Sequence, residues 1–187
     1  PDLLPKFAPA WANAEDADFY EVTMLSYNMR SFGRDQLDGA LRIVAESDAD
    51  IIAFQEISPP ATEAFDAQFA GKYPYRVWNP YPDQWTAGQG FMSRYPILES
   101  DYWKTQQGFQ RVLLDINGRE VAVYNVHAAY PLVNGGAQAR HADIVDLLAR
   151  AEAEAVPVIL LGDFNMTPVN LDYGALTARF TDAHRAI

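Results

Sequence analysis

The hydrophobic positions along the chain repeat with two periods, one typical of strands and the other typical of helices. Across residues 20–27 two sets of side chains alternate, which predicts a strand. The sets are Tyr20, Val22, Met24 and Ser26, and Glu21, Thr23, Leu25 and Tyr27. Two longer segments have apolar residues three and four positions apart, and they predict amphipathic helices over residues 37–45 and 137–155. A further helix is predicted from Ser58 to Gly71. A serine followed by a proline is typical of a helix start.

Two runs of consecutive apolar residues, 51–54 and 158–161, are typical of strands that are buried on both faces. We expect both to be central strands, with their polar ends at the same edge of the molecule. The dipeptide Asn117-Gly118 is a strong signal for a hairpin turn. Four more strands are predicted before and after that turn, at residues 88–93, 96–103, 110–116 and 120–127.

The segment 73–85 is dense in aromatic residues and prolines, so no helix is expected there. Aromatic side chains mostly fill cores, and we expect these to do so. A platform for stacking nucleic-acid bases would need interleaved basic residues, and only Lys72 and Arg76 are present. His141 lies near the apolar face of the second long helix, and we expect it to be packed there.

The order of hairpins and helix-to-strand passages predicts an α/β or α+β sandwich with the helices outside the sheets. We expect one domain over residues 20–187, preceded by a leader or linker at 1–19 that is rich in proline and alanine. No apolar run reaches the length of a membrane helix, about 18 residues, so no membrane span is predicted. A monomer is expected.

The amino-acid composition excludes several kinds of functional site. The chain of 187 residues has 49% hydrophobic and 21% charged residues, as ordinary globular proteins do. It has no cysteine, so disulfides, thiolate metal sites and cysteine nucleophiles are excluded. A net charge of −11 opposes a purely electrostatic grip on nucleic acid. This negative charge is compatible with an enzyme that binds the phosphate of its substrate through a bound cation.

Polar residues follow several of the predicted strands at the point where each one ends. Because such ends converge if the strands share a sheet, these residues would form one site rich in oxygen ligands, which suits Mg²⁺ or Mn²⁺ rather than zinc. Taken singly, each has a simpler interpretation as a solvated strand end, a turn residue or a hydrogen-bonded core histidine. Their joint occurrence favours a site made of Asn28, Glu56, His127, Asp163 and Asn165.

Five segments, in this order, resemble the endonuclease/exonuclease/phosphatase superfamily, which has the deoxyribonuclease-I-like fold. The resemblance implies a four-layer α/β (α+β) sandwich, in which two mostly antiparallel sheets pack face to face with helices outside. It covers the chain from about Glu21 onward. The segments are Leu25-Ser26-Tyr27-Asn28, Asp50-Ile51-Ile52-Ala53-Phe54-Gln55-Glu56, Gly90-Phe91-Met92-Ser93-Arg94-Tyr95-Pro96-Ile97, Tyr124-Asn125-Val126-His127 and Val158-Ile159-Leu160-Leu161-Gly162-Asp163-Phe164-Asn165.

Members of this superfamily hydrolyse phosphoester bonds with a divalent metal, and water attacks phosphorus in line. The resemblance implies that Glu56 is the main ligand of Mg²⁺ or Mn²⁺ and that Asn28 supports the same site. Asp163 would orient or deprotonate the attacking water, and Asn165 would hold a phosphate oxygen. His127 would donate a hydrogen bond to the phosphate in the transition state. The superfamily's substrates range from DNA to phosphoinositides and sphingomyelin, and nothing in the sequence selects one of them.

The chain departs from the superfamily's pattern in one respect. Members carry a late Ser-Asp-His segment, and nothing here matches it, so the last strands are expected to be missing. Asp182-Ala183-His184 resembles an earlier Asp-Ala turn of the family, and His184 is expected on the surface. A catalytically incomplete fragment, or a non-catalytic binding module of the same fold, is therefore the alternative to an enzyme.

Two further expectations concern the setting of the protein. A nuclease acting on nucleic acid is possible, although the net charge does not favour it. A proline-rich leader before such a domain is similar to bacterial relatives that follow membrane segments. That analogy predicts an extracytoplasmic bacterial location.

Overall fold

The fold is described here from a computed structural model, for residues 21–30, 34–83 and 85–185. The expected leader at 1–19 lies outside these residues. Within these residues there are eight strands, four α-helices and one 3₁₀ turn. Their order is β1 (Met24–Asn28), α1 (Arg34–Ser47), β2 (Ile51–Gln55), α2 (Pro59–Phe69), β3 (Tyr75–Asn79), the 3₁₀ turn (Trp85–Ala87), β4 (Gln89–Ser93), β5 (Ile97–Lys104), β6 (Gly108–Ile116), β7 (Arg119–His127), α3 (Gly136–Glu152), β8 (Val158–Asp163) and α4 (Leu171–Thr177).

The strands form two four-stranded mixed sheets, with the orders β1-β2-β4-β3 and β5-β6-β7-β8. Each sheet contains one parallel pair, β1 with β2 and β7 with β8, and its other pairs are antiparallel. Parallel neighbours need a crossover connection, which α1 and α3 provide. The carboxyl ends of both strands in each parallel pair therefore lie at the same edge.

Three apolar layers hold the four layers of secondary structure together, and they confirm the predicted sandwich with helices outside. Alternate residues of each strand point to opposite faces, so one strand serves two layers. In β2, Ile52 and Phe54 pack with α1 and α2, whereas Ile51 and Ala53 face the second sheet. The outer face of the second sheet packs against α3 and α4, through residues that include Tyr124, Val126, Ile144, Leu147 and Leu176.

The two continuous apolar runs have different positions in the sheets. β2 is central and all five of its residues are buried, as predicted. The prediction that 158–161 is also central and fully buried is wrong, because β8 is half-buried and is the outermost strand of its sheet among the described residues. Its run is continuous because Ile159 faces the layer between the sheets and Leu160 faces the helices. Apolar contacts on both faces do not require a neighbour on both edges.

The aromatic segment packs in the core in part, since Tyr73 and Trp78 contact the core but Tyr75 is 39% exposed. The Tyr73 side chain is fully buried and donates a hydrogen bond to the Ala49 carbonyl at 2.8 Å. The ring of Trp78 lies 5.9 Å from that of Phe54 and 6.3 Å from that of Phe65. No helix among the described residues is both long and apolar enough to cross a membrane.

His141 is not packed in the core, contrary to the prediction. Its side chain is 69% exposed, and its Nδ1 lies 2.7 Å from an oxygen of Asp172. The buried face of α3 passes through Arg140 and Ile144 instead. One residue along a helix corresponds to a rotation of about 100°, which is enough to move a neighbour of the apolar face into solvent.

At Gly162 the backbone of β8 passes close to that of β7. Its φ is +137°, a conformation that side chains rarely adopt, and an added Cβ would lie 2.0 Å from the Val126 carbonyl oxygen. A side chain would therefore force the end of β8, which carries Asp163, away from β7.

Gly162→Ala is expected to lower the free energy of unfolding by at least about 2 kcal/mol, because strain and overlap add. Gly71→Ala is the matched control, since Gly71 is exposed and has open space around its Cα. It should change stability by less than about 0.5 kcal/mol. Equal effects of the two variants in urea unfolding would contradict the close approach of β7 and β8.

Candidate active site

One side-chain amide joins the two sheets at the edge where the parallel strands end. Asn28, the last residue of β1, donates through Nδ2 to Glu56 Oε1 at 3.2 Å and to Asp163 Oδ2 at 3.0 Å. Glu56 directly follows β2 in the first sheet, and Asp163 ends β8 in the second. The Asn28 Oδ1 accepts a hydrogen bond from the Arg30 backbone N–H at 2.9 Å. The two carboxylates expected at the site are thus within reach of a single amide.

The backbone around this amide is in the left-handed region at three positions. The φ angles are +46° at Arg30, +56° at Glu56 and +48° at Asn165. Only two other non-glycine residues of the described chain have positive φ. Conformations of this kind cluster at functional sites, where the surrounding structure holds them.

His127 ends β7 and lies directly beside Asp163 in the register of the parallel pair. Its Nε2 is 3.7 Å from Glu56 Oε1. Burial lowers the pKa of His127 below its ordinary value, although the carboxylates of Asp163 and Glu56 pull it upward. The imidazole is therefore neutral at neutral pH and can donate one hydrogen bond.

Asp163 and Asn165 form a tight turn after β8. Asp163 Oδ1 accepts the Asn165 backbone N–H at 2.9 Å, so both oxygens of this carboxylate have fixed partners. The side chain of Asn165 donates through Nδ2 to the Ala128 carbonyl at 2.8 Å. Its amide nitrogen is thus engaged by the residue that follows His127.

A buried ion pair supports this turn from behind, and the sequence analysis did not anticipate it. Arg140 on α3 donates to the Asn165 carbonyl at 2.8 Å and, through Nε, to Asp172 on α4 at 3.3 Å. Both side chains are only 9% exposed. The signal in the sequence is an arginine four residues before Ile144, on the buried face of an amphipathic helix.

A second buried polar pair lies one residue behind the site and joins the sheets. Gln55 Nε2 donates to Asn125 Oδ1 at 2.6 Å, and Asn125 Nδ2 donates to the Phe54 carbonyl at 2.8 Å. Gln55 and Asn125 are almost completely buried. Because buried polar groups are costly unless they are paired, this contact fixes the position of one sheet against the other. The signal in the sequence is a polar residue inside an otherwise apolar strand.

The groups at this edge fit a hard divalent cation. The donors are carboxylate and amide groups, which Mg²⁺ and Mn²⁺ prefer. Within the residues that the structure describes, no three His, Asp or Glu side chains are grouped so that they could hold a metal ion by themselves. A cation here would therefore keep much of its water, as Mg²⁺ usually does when one or two carboxylates bind it.

Comparison with known sequences identifies the family. A sequence profile of the Endonuclease/Exonuclease/phosphatase family matches residues 25–184, and the chain belongs to this family. The resemblance carried by the five segments is thereby confirmed. The sequence matches none of the curated proteins with which it was compared.

Solved structures with the same fold include three with named activities or roles. Humanized D. rerio TDP2 with 14 mutations has a TM-score of 0.69 and 18% identity, over 83% of this chain and 66% of that one. Sphingomyelinase C from Streptomyces griseocarneus has a TM-score of 0.66 and 21% identity, over 84% and 68%. A β-hairpin deletion mutant of beta toxin from Staphylococcus aureus has a TM-score of 0.68 and 17% identity, over 84% and 72%.

At such low identities the structural likeness shows the fold alone. The chain spans less than two thirds of the length of the TDP2 chain. The family and the fold are typically those of phosphoester hydrolases, and members of the family generally use divalent metals. The site formed by Asn28, Glu56, His127 and Asp163 is therefore the candidate active site.

Arg140→Gln is expected to lower the free energy of unfolding by about 3 kcal/mol, because it leaves the buried Asp172 carboxylate without its cation. Arg179→Gln is the control, since Arg179 and Glu152 form an exposed ion pair that contributes about 1 kcal/mol or less. The measurement is chemical unfolding monitored by tryptophan fluorescence. A loss for Arg140→Gln no larger than that for the control would show that the ion pair does not support the turn.

Proposed function

We propose that the protein is a divalent-metal-dependent phosphoester hydrolase in which water attacks phosphorus in line. The observation that carries the proposal is the Asn28 amide, which lies 3.2 Å from Glu56 and 3.0 Å from Asp163. It gathers the carboxylates of Glu56 and Asp163 at one edge, beside His127. Membership of a family of phosphoester hydrolases supports the same assignment.

Asp163 is suited to hold and deprotonate the attacking water, because hydrogen bonds to both of its oxygens fix its orientation. His127 is suited to donate a hydrogen bond to a phosphate oxygen, because it ends β7 directly beside Asp163 and lies 3.7 Å from Glu56. Its one N–H would then exchange the Thr86 backbone for the phosphate oxygen. Asn165 contacts the phosphate only if its amide exchanges the Ala128 carbonyl for a phosphate oxygen.

A cation is needed at this edge on electrostatic grounds. Glu56 and Asp163 both oppose the approach of a phosphate group, and the chain as a whole carries a net charge of −11. A bound Mg²⁺ or Mn²⁺ would offset this repulsion and stabilise the charge that develops on the phosphate and the leaving oxygen. We assign Glu56 and Asn28 to hold it; Asn28 would do so through Oδ1, which would exchange the Arg30 backbone N–H for the cation.

A binding module of the same fold is the second candidate. The observation in its favour is that Asn165 is engaged with the Ala128 carbonyl rather than facing an open site. A nuclease is a narrower form of the first candidate, and one solved structure of D. rerio TDP2 contains a single-stranded DNA product. The acidic character of this chain does not favour nucleic acid as its substrate.

Glu56→Gln is expected to weaken Mg²⁺ binding by at least about tenfold, because an amide replaces the charged ligand while the size of the side chain is kept. The measurement is isothermal titration calorimetry with Mg²⁺ and Mn²⁺. Glu63→Gln, on the exposed face of α2, is the control and should bind the metal like the parent protein. Unchanged affinity in Glu56→Gln would show that the metal assignment is wrong.

His127→Ala is expected to lower the turnover of bis(p-nitrophenyl) phosphate by about 10²–10⁴, since it removes a hydrogen-bond donor to the phosphate. Mg²⁺ binding should be unchanged, because His127 is assigned to phosphate and not to metal. His184→Ala is the control, as His184 is exposed. EDTA should abolish turnover by the parent protein. Turnover that survives EDTA would refute metal dependence, whereas metal binding without any turnover would favour a binding module.

A further inference from the structure

Two loops that leave the candidate site carry large apolar side chains in solvent. The first follows His127 and leads into α3, and the second follows Asp163 and leads into α4. Isolated exposed apolar residues are common, but a group of them beside a functional site is a sign of an interaction surface. We call these five residues the apolar rim: Tyr130, 47% exposed; Leu132, 81%; Val133, 51%; Val169, 91%; and Leu171, 94%.

The two loops are neighbours, and hydrogen bonds fix them at their bases. The Asn165 side chain in the second loop donates to the Ala128 carbonyl in the first at 2.8 Å. The buried Asp143 carboxylate accepts the backbone N–H of Ala129 at 2.9 Å. Where the loops end, α3 and α4 are joined by the ion pair of Arg140 with Asp172. The apolar rim therefore lies on anchored segments on one side of the site.

The rim is also free of charge in a strongly acidic protein. Residues 128–139 and 164–171 contain no Asp, Glu, Lys or Arg, although 21% of the chain is charged. A nucleic acid would need basic side chains along such a rim. An uncharged surface with exposed aliphatic side chains instead suits the boundary between water and the acyl chains of a lipid layer. A lipid layer bound to the rim would hold its headgroups beside the candidate site, because both loops start from residues that end strands at that site.

We infer that the apolar rim docks the protein on the surface of a zwitterionic phospholipid layer, and that the substrate is the phosphodiester headgroup of an amphiphile in that layer. The choice of substrate rests on the proposed function, whereas the docking does not. The rim inserts its aliphatic side chains among the headgroups and so brings Glu56, His127 and Asp163 to the depth of the phosphodiester.

The test uses the triple variant Leu132→Gln, Val169→Gln, Leu171→Gln. The matched control is Leu98→Gln with Val145→Gln, which removes two apolar side chains of 48% and 53% exposure. Leu98 lies at the end of the second sheet opposite His127, and Val145 lies beyond the first turn of α3. Partition of the parent protein and both variants onto phosphatidylcholine vesicles is measured by cosedimentation. Hydrolysis of bis(p-nitrophenyl) phosphate and of the vesicle headgroups is measured in parallel.

The parent protein and the control should partition onto phosphatidylcholine vesicles, and the triple variant should do so more weakly by at least about tenfold. Its hydrolysis of vesicle headgroups should fall by the same factor, while turnover of the free diester stays unchanged. Vesicles of phosphatidylglycerol should bind the parent protein less well, because both surfaces are negative.

Failure of the parent protein to bind phosphatidylcholine vesicles, or equal binding by the triple variant, would overturn the inference. Self-association of the parent protein that the triple variant abolishes, in the absence of vesicle binding, would make the rim an interface between copies of the chain and would also overturn it. Vesicle binding that depends on the rim, without hydrolysis of any diester, would support the docking and refute the proposed function.

Discussion

The arrangement at the site depends on one amide that holds two like charges in place. Asn28 Nδ2 donates to Glu56 from the first sheet and to Asp163 from the second. Two carboxylates so close together repel each other unless a donor or a cation lies between them. The fold provides the geometry, because each sheet ends a parallel strand pair at the same edge. The site is therefore a junction between two sheets and not a property of either one.

Buried polar pairs behind the junction keep it in register. The contact between Gln55 and Asn125 links the sheets one residue below the site, and the ion pair of Arg140 with Asp172 holds the turn that carries Asn165. Each pair has polar groups that would be costly if they were separated in the interior. Small relative shifts of the sheets are thus unfavourable, which suits a site that must present several groups to one phosphate.

Much of this architecture was accessible from the sequence, for physical reasons that can be stated. The run at 51–54 predicted a buried central strand, and the positions where strands end predicted which polar residues meet. The equally apolar run at 158–161 became the outermost described strand, because hydropathy reports contacts on the faces of a strand and not pairing at its edges. His141 was expected on the packed face of α3, but Arg140 lies there instead, since a shift of one residue along a helix changes the direction of a side chain by about 100°. The pairing of Arg140 with Asp172 involves residues far apart in sequence, and periodicity carries no information about such contacts.

The central claim is that the junction at Asn28 holds a divalent cation, and anomalous diffraction from crystals soaked in Mn²⁺ tests it most directly. We expect one strong anomalous peak at the edge between the sheets, about 2.0–2.2 Å from a carboxylate oxygen of Glu56 and with water completing the coordination of the ion. A peak elsewhere, or a junction that still contains only the Asn28 hydrogen bonds at saturating Mn²⁺, would contradict it.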